Sequence, residues 1–273
     1  MELSFGCYSI GVRDIKNHFW GVIDKEEAMK KQKGILYGLG VGPGDPELIT
    51  LKAARVLNVV DEVFAAASTK NAYSLALSIA KPHIPDLTPV RMLYFPMTRD
   101  ISEMEKAWKS HAQTIINELE QDKKVAFLTL GDAMTYSTYG YILKNIQKMA
   151  PQFPIVSIPG ITSYQAAAAC LNTPLVEGED SLLLTSGAKG GERLRSFAAK
   201  PECVVFLKAY RNVEDIADAI KEAGVYQDAI GISNCSQEDE KVYRDIEELC
   251  DRRPDYWTLI IAKQKKVDET LKS

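Results

Sequence analysis

Residues 35–47 read Ile35-Leu36-Tyr37-Gly38-Leu39-Gly40-Val41-Gly42-Pro43-Gly44-Asp45-Pro46-Glu47. The apolar run bounded by glycines predicts a buried strand over 35–41. Asp45 as a cap, Pro46 at the first helical position and Glu47 in the first turn predict that a helix begins at once. That helix is expected to run through 48–60, with Ile49, Ala53, Val56, Leu57 and Val60 on one face. A strand that turns through glycines into a helix is the opening unit of a parallel α/β sheet.

Downstream the alternation repeats. Strands are expected at 63–66, 90–95, 125–130 and 155–158, and helices at 71–80, 101–119, 139–149 and 163–171. The run Val125-Ala126-Phe127-Leu128-Thr129-Leu130 is nearly all apolar, as a central parallel strand requires. Asn172-Thr173-Pro174-Leu175 reads as a linker. Beyond it, strands are expected at 181–185, 204–207, 229–233 and 257–262, and helices at 192–199 and 213–222. The last strand directly follows a charged stretch at 247–255, which points to a hairpin and a mixed sheet. The fold class is therefore α/β: a parallel-sheet domain over 34–171 and a mixed-sheet domain over 172–273. Residues 1–33, ending in Lys30-Lys31-Gln32-Lys33, read as an extension outside the main fold, and 263–273 as a polar tail.

Composition narrows the function. The 273 residues are 46% hydrophobic and 26% charged, ordinary for a globular chain able to bury its own core. Lys and Arg total 33 against 37 Asp and Glu, a net charge of −4, which argues against nucleic acid as the main ligand. No apolar run nears the roughly 20 residues that span a bilayer, and 3–12 lacks the basic n-region of a signal peptide. The five cysteines, Cys7, Cys170, Cys203, Cys235 and Cys250, are odd in number and form no CxxC pair. They suit a reducing cytoplasm rather than a disulfide framework. His18, His83 and His111 form no HxxxH pair, so no protein-held metal is expected. His83 and His111 read as structural, Cys170 as a core residue on an Ala-rich helix, and Tyr94, Phe95 and Trp108 as core aromatics.

In a parallel sheet, loops that follow strands emerge at the carboxyl edge, where ligands bind. Three such loops carry unusual chemistry: 38–45, 130–138 (Leu-Gly-Asp-Ala-Met-Thr-Tyr-Ser-Thr) and 158–163 (Ile-Pro-Gly-Ile-Thr-Ser). Together they place glycines, small hydroxyls and two acids on one rim. The first loop does not fit a dinucleotide fingerprint, because the GxGxxG registers that start at Gly38 and Gly40 meet Pro43 and Asp45 where glycine is required. No GK[ST] tripeptide exists for a phosphate loop, and Asp45 at a helix start would repel phosphate. Each loop also reads as ordinary turn chemistry: a glycine turn with a cap, a polar turn capped by Ser137 or Thr138, and a Pro-Gly turn before Thr162 and Ser163.

The stretch 37–53, the Leu-Gly-Asp loop at 130–132 and Ile-Pro-Gly-Ile-Thr-Ser at 158–163 resemble, in order, three signatures of the tetrapyrrole methylases of the corrin and sirohaem pathways. Within that family, Phe95-Pro-Met-Thr-Arg-Asp100 and Met134-Thr-Tyr-Ser-Thr-Tyr139 resemble the precorrin-2 C20-methyltransferases. The resemblance implies two α/β domains with S-adenosylmethionine in the cleft between them, a homodimer, and a reduced tetrapyrrole substrate. Carried over by position, it implies a wall at Gly42 and Pro43 and a cofactor loop of Gly131, Asp132, Thr135, Tyr136, Ser137 and Thr138. It further implies contacts at Thr162 and Ser163 and at Lys208, Ala209 and Tyr210. One departure is Ala133, where the family has proline after Gly-Asp. Asp45 is the candidate for orienting substrate or accepting a proton, and Arg91, Arg99 and Lys208 are candidates for substrate carboxylates. The expected activity is methyl transfer to C20 of precorrin-2 or cobalt-factor II in cobalamin biosynthesis. A sister methylase acting at another ring carbon, or a non-catalytic nucleotide-binding regulator, are the alternatives.

Overall fold

The computed structural model describes residues 34–68, 74–98, 100–250, 252 and 254–264. The expectations for 1–33, for the start of the helix at 71–80 and for 265–273 lie outside these residues. Among the described residues there are two five-stranded sheets. The first is built from β1 (Ile35–Gly40), β2 (Glu62–Ser68), β3 (Val90–Phe95), β4 (Lys124–Thr129) and β5 (Ile155–Ile158). Its order is β3-β2-β4-β1-β5 and every pairing is parallel. The connecting helices are α1 (Leu51–Leu57), α2 (Leu75–Ala80), α3 (Ile101–Leu119) and α4 (Tyr139–Met149). Both faces of the sheet are covered, which is why β4 is apolar along nearly its whole length. Leu39, Leu57, Val63, Ile79 and Leu128 fill the layer beneath α1 and α2. Leu36, Phe64, Phe127, Ile115, Tyr139 and Ile142 fill the layer beneath α3 and α4.

After α5 (Ser163–Cys170) the second sheet forms from β6 (Leu182–Ser186), β7 (Cys203–Leu207), β8 (Tyr226–Ser233), β9 (Lys241–Tyr243) and β10 (Thr258–Gln264). Its order is β6-β7-β10-β8-β9, with β6 and β7 parallel and the other pairs antiparallel. The chain thus folds as two α/β domains, one parallel and one mixed. Helices α6 (Glu192–Arg195), α7 (Val213–Ala223) and α8 (Glu247–Cys250) cover one face. On the other, Ala166 and Ala167 of α5 pack against Cys203, Val205, Ile232, Leu259 and Ile261. That face also receives Leu48 and Ile161 from the first domain's loops.

Several expectations need correction. The helix at 45–60 is two pieces: Asp45 caps a single 3-10 turn (Pro46–Leu48), Ile49 is extended, and Thr50 caps α1 through the Ala53 N–H. The helix over 192–199 stops at Arg195, and β10 continues through Lys263 and Gln264. Strand β9 was not expected. Cys170 is exposed and its thiol donates to Glu240 Oε1 at 3.1 Å, because α5 buries only its Ala166–Ala167 side. Tyr94 is exposed on edge strand β3 rather than in the core.

Candidate functional site

Strand order β4-β1-β5 places the loops 41–45, 130–138 and 159–162 side by side on the carboxyl edge. They are joined by their backbones. Gly42 and Gly131 exchange two hydrogen bonds, Gly131 N–H to Gly42 O at 2.8 Å and Gly42 N–H to Gly131 O at 3.2 Å. Both are left-handed, with φ of +88° and +66°. A Cβ on Gly160 would lie 2.2 Å from the Gly131 carbonyl oxygen, so the loops approach more closely than any side chain permits. Gly131 differs: a Cβ there would meet nothing nearer than Ile161 O and Thr162 Cα at 3.9 Å, an ordinary contact with the third loop.

Asp132 ties the second loop to the third. Its Oδ1 accepts from the Met134 N–H at 2.9 Å and from the Thr135 hydroxyl at 3.0 Å, and its Oδ2 accepts from the Gly160 N–H at 3.1 Å. Three of the hydroxyls expected to meet a ligand, those of Thr135, Ser137 and Thr162, are engaged within the loops. Ser137 Oγ lies 2.9 Å from Thr129 Oγ1 and accepts the Tyr139 N–H, while Thr162 forms a capping box with Gln165. Thr138 is the residue before α4 and makes no side-chain cap bond; Ser163 opens α5. Asp45 Oδ1 accepts the Glu47 N–H at 2.8 Å beside buried Pro43.

The second sheet presents its own loop ends to this rim. A Cβ on Gly44 would meet Ser236 O at 2.7 Å and Cys235 O at 2.8 Å, so the first loop rests directly on the turn after β8. Tyr136, left-handed at φ +50°, reaches across to donate its hydroxyl to Leu184 O at 3.5 Å. Lys208, Ala209 and Tyr210 follow β7 on the same edge of the second sheet. Lys208 is left-handed at φ +59° and half-buried, and desolvation holds its ammonium below the usual lysine range. Ala209 is buried and donates to Thr258 O at 2.9 Å; Tyr210 stands edge-on to Tyr256 with ring centroids 4.9 Å apart.

Of the other candidates, Arg91 points away from the site. It lies near the start of β3, at the amino edge, 2.8 Å from Glu62 and 3.1 Å from Glu118. Arg99 lies outside the described residues. His83 meets Pro46 O at 3.0 Å and His111 meets Tyr94 O at 2.9 Å. Among the described residues no three His, Cys, Asp or Glu side chains could hold a metal ion, and no helix is long and apolar enough to cross a membrane. The sequence reading missed Gly38, over which the buried Tyr139 ring lies so closely that a Cβ would sit 2.0 Å from its Cζ. A glycine in mid-strand was the only visible signal.

The sequence profile of the Tetrapyrrole (Corrin/Porphyrin) Methylases matches residues 35–250, which hold the whole first sheet, four of the second sheet's five strands and the loops of this rim. The chain belongs to the tetrapyrrole methylase family. Among similar curated proteins, a cobalt-precorrin-2 C(20)-methyltransferase of Salmonella typhimurium is 35% identical over 85% of this chain and 97% of its own length. A probable cobalt-precorrin-2 C(20)-methyltransferase of Methanocaldococcus jannaschii is 34% identical over 87% of this methylase and 100% of its own length. Among solved structures, a cobalt precorrin-4 methyltransferase superposes with a TM-score of 0.64 at 20% identity, covering 89% of this chain and 98% of that one. The Thermus thermophilus uroporphyrin-III C-methyltransferase complexed with S-adenyl homocysteine gives 0.59 at 23% identity, covering 84% and 92%. These two likenesses bear on the fold.

Proposed function

We propose that this methylase transfers a methyl group from S-adenosylmethionine to C20 of precorrin-2 or of its cobalt-containing counterpart, cobalt-factor II. The observation that carries the reading is 34–35% identity, over nearly the full length of each relative, to proteins named for that reaction. The geometry supports it. Gly131 can bear a Cβ without a clash and is paired by its backbone to Gly42, so in our reading the backbone of these two loops, with Pro43, forms the wall that faces the cofactor. The cofactor, when bound, would supply a methyl group already activated on a sulfonium.

The protein's own share is then to place two reactants, which alone contributes several kcal/mol. Asp132, through Met134, Thr135 and Gly160, holds the loop 130–138 to the loop 159–162, so the backbone facing the ligand is set before it arrives. Tyr136, Ser137, Thr138, Thr162 and Ser163 shape that wall, while Lys208, Ala209 and Tyr210 close it from the second sheet. The half-buried Lys208 ammonium suits one of the substrate's carboxylates. Asp45, in the first loop, is the residue we assign to take the proton that C20 gives up after methylation. A homodimer in the cytoplasm is the setting we infer, and Cys170, Cys203 and Cys235, present as thiols, are compatible with it.

The test is to incubate the protein separately with precorrin-2 and with cobalt-factor II and to locate the new methyl group by NMR. A new C20 methyl in either product is expected. Methylation at another ring carbon would make this a sister enzyme. Tight S-adenosylhomocysteine binding with transfer no faster than the no-enzyme control would make it a regulator.

A further inference from the structure

Helix α3 is longer than the sheet it covers. Its His111 meets the carbonyl of Tyr94, near the end of β3, and Leu119 lies against Gly34 at the start of β1. Residues 101–110 therefore extend beyond the carboxyl edge by about 15 Å. The apolar stripe of α3 continues onto this overhang, where no sheet lies beneath it. Ala112, Ile115 and Leu119 are buried, whereas Trp108 and Met104 are half-buried and Ile101 is 65% exposed. Tyr141, from the first turn of α4, lies over the stripe, and its ring stacks on Trp108 at 4.0 Å and 5° from parallel. Tyr141 is itself 45% exposed, and Met97 and Met134 at the flanking strand ends are 57% and 63% exposed. An apolar strip of this kind beside a ligand cleft marks a contact surface.

We propose that this strip, Met97, Ile101, Met104, Trp108, Met134 and Tyr141, is the wall against which the tetrapyrrole macrocycle rests. It thereby decides which meso carbon faces the methyl donor. The inference rests on the C20 reading above and adds the residues that select the carbon. Continuity argues for this occupant: Met134 belongs to the same loop as Asp132 and Thr135, so the strip and the candidate cofactor loop form one surface. Shape argues likewise, because a near-parallel ring stack offers a flat apolar face to a flat conjugated ring. Thioether side chains on either side can adapt to its substituents.

The test uses Ile101→Glu and Tyr141→Ala, two exposed positions whose replacement leaves the core intact. Leu87→Glu, 96% exposed just before β3, serves as control. Four quantities are read: KM for the tetrapyrrole, S-adenosylhomocysteine affinity by calorimetry, sedimentation, and the position of the new methyl by NMR. Both variants are expected to raise KM by about tenfold, the loss of one good apolar contact, with cofactor affinity within about twofold of wild type. A fraction of their product should carry the methyl away from C20, and Leu87→Glu should match wild type. Wild-type KM and wild-type product in both variants would overturn the proposal while leaving the C20 activity standing. So would an unchanged KM with altered sedimentation, which would assign the strip to a second copy of the chain. A wild-type protein that methylates neither substrate would remove the C20 reading and this inference together.

Discussion

Glycines in this protein do two different jobs, and substitution separates them. Gly38 yields its side-chain volume to Tyr139, whose hydroxyl lies 2.9 Å from Ser157 Oγ beneath the sheet. Gly38→Ala should therefore lower stability by about 3 kcal/mol, the upper range for overpacking a core. The same change in a Tyr139→Ala background should cost much less in a denaturant double-mutant cycle. Equal costs in both backgrounds would mean that the ring is not the obstacle. Gly131, in the function proposed above, faces the cofactor instead. Gly131 and Gly178 are both left-handed, at φ +66° and +58°, and neither would press a Cβ on a neighbour. Alanine at either should cost about 1–2 kcal/mol of backbone strain. Only Gly131→Ala should also weaken S-adenosylhomocysteine binding, by about tenfold or about 1.4 kcal/mol in calorimetry. Equal affinities in the two variants would return the Gly131 loop to a turn with no ligand.

At the scale of elements, the amino edge of the first sheet is held by charge. Glu62 at the start of β2 and Glu118 near the end of α3 are both buried, and Arg91 and Lys123 sit against them. The hydrogen bond from Lys123 holds the Glu118 carboxyl below its usual range, while burial pushes Glu62 up. Removing Arg91 leaves two buried carboxylates sharing one cation. Arg91→Ala should cost about 2 kcal/mol near neutral pH, less than a fully buried pair because the guanidinium is half in water. The Glu118 contribution is present above the ordinary carboxylate pKa and is lost as pH falls through its lowered value. The variant's deficit should accordingly shrink as acid protonates the two groups, and a deficit constant from pH 8 to pH 4 would refute the account. The central strand β4 was legible as a nearly unbroken apolar run, the mark of a parallel strand buried on both faces, and the edge strands β3 and β5 have the expected bounds. The helix at 45–60 was misread because two caps, Asp45 and Thr50, stand five residues apart, and the first closes only a single turn. Strand β9 has three residues at a sheet edge, too short for any period to show. The three glycine loops were visible as composition. The Asp132–Gly160 bond and the Tyr139 ring over Gly38 join residues 28 and 101 positions apart and leave no local pattern.

For the whole molecule, one of the tightest joins between the two sheets is where Gly44 meets the turn after β8. That turn is stiff. Asn234 donates to Asp239 at 2.6 Å and to Asp255 at 3.2 Å, Ser236 N–H donates to Glu240 at 2.7 Å, and Asn234 and Ser236 are both left-handed. A side chain at 44 meets carbonyl oxygens of this turn, which cannot rotate aside as a flexible side chain would. Gly44→Ala should therefore move the carboxyl edges of the sheets apart by a fraction of an ångström rather than be absorbed locally. Each sheet keeps its own core, so the unfolding free energy should fall by no more than about 1–2 kcal/mol, the usual cost of a modest overpacking. A ligand gripped from both edges should lose more. The expected result is an S-adenosylhomocysteine affinity reduced by about tenfold, with faster amide exchange at 42–45 and 234–237 and unchanged exchange in the strands. Ser236→Gly, which frees one left-handed position of the turn, should restore part of the affinity in the Gly44→Ala background. Wild-type affinity in Gly44→Ala, with faster exchange at both segments, would show that the ligand is held by the first sheet's loops alone. Lys208, Ala209 and Tyr210 would then have no part in binding it.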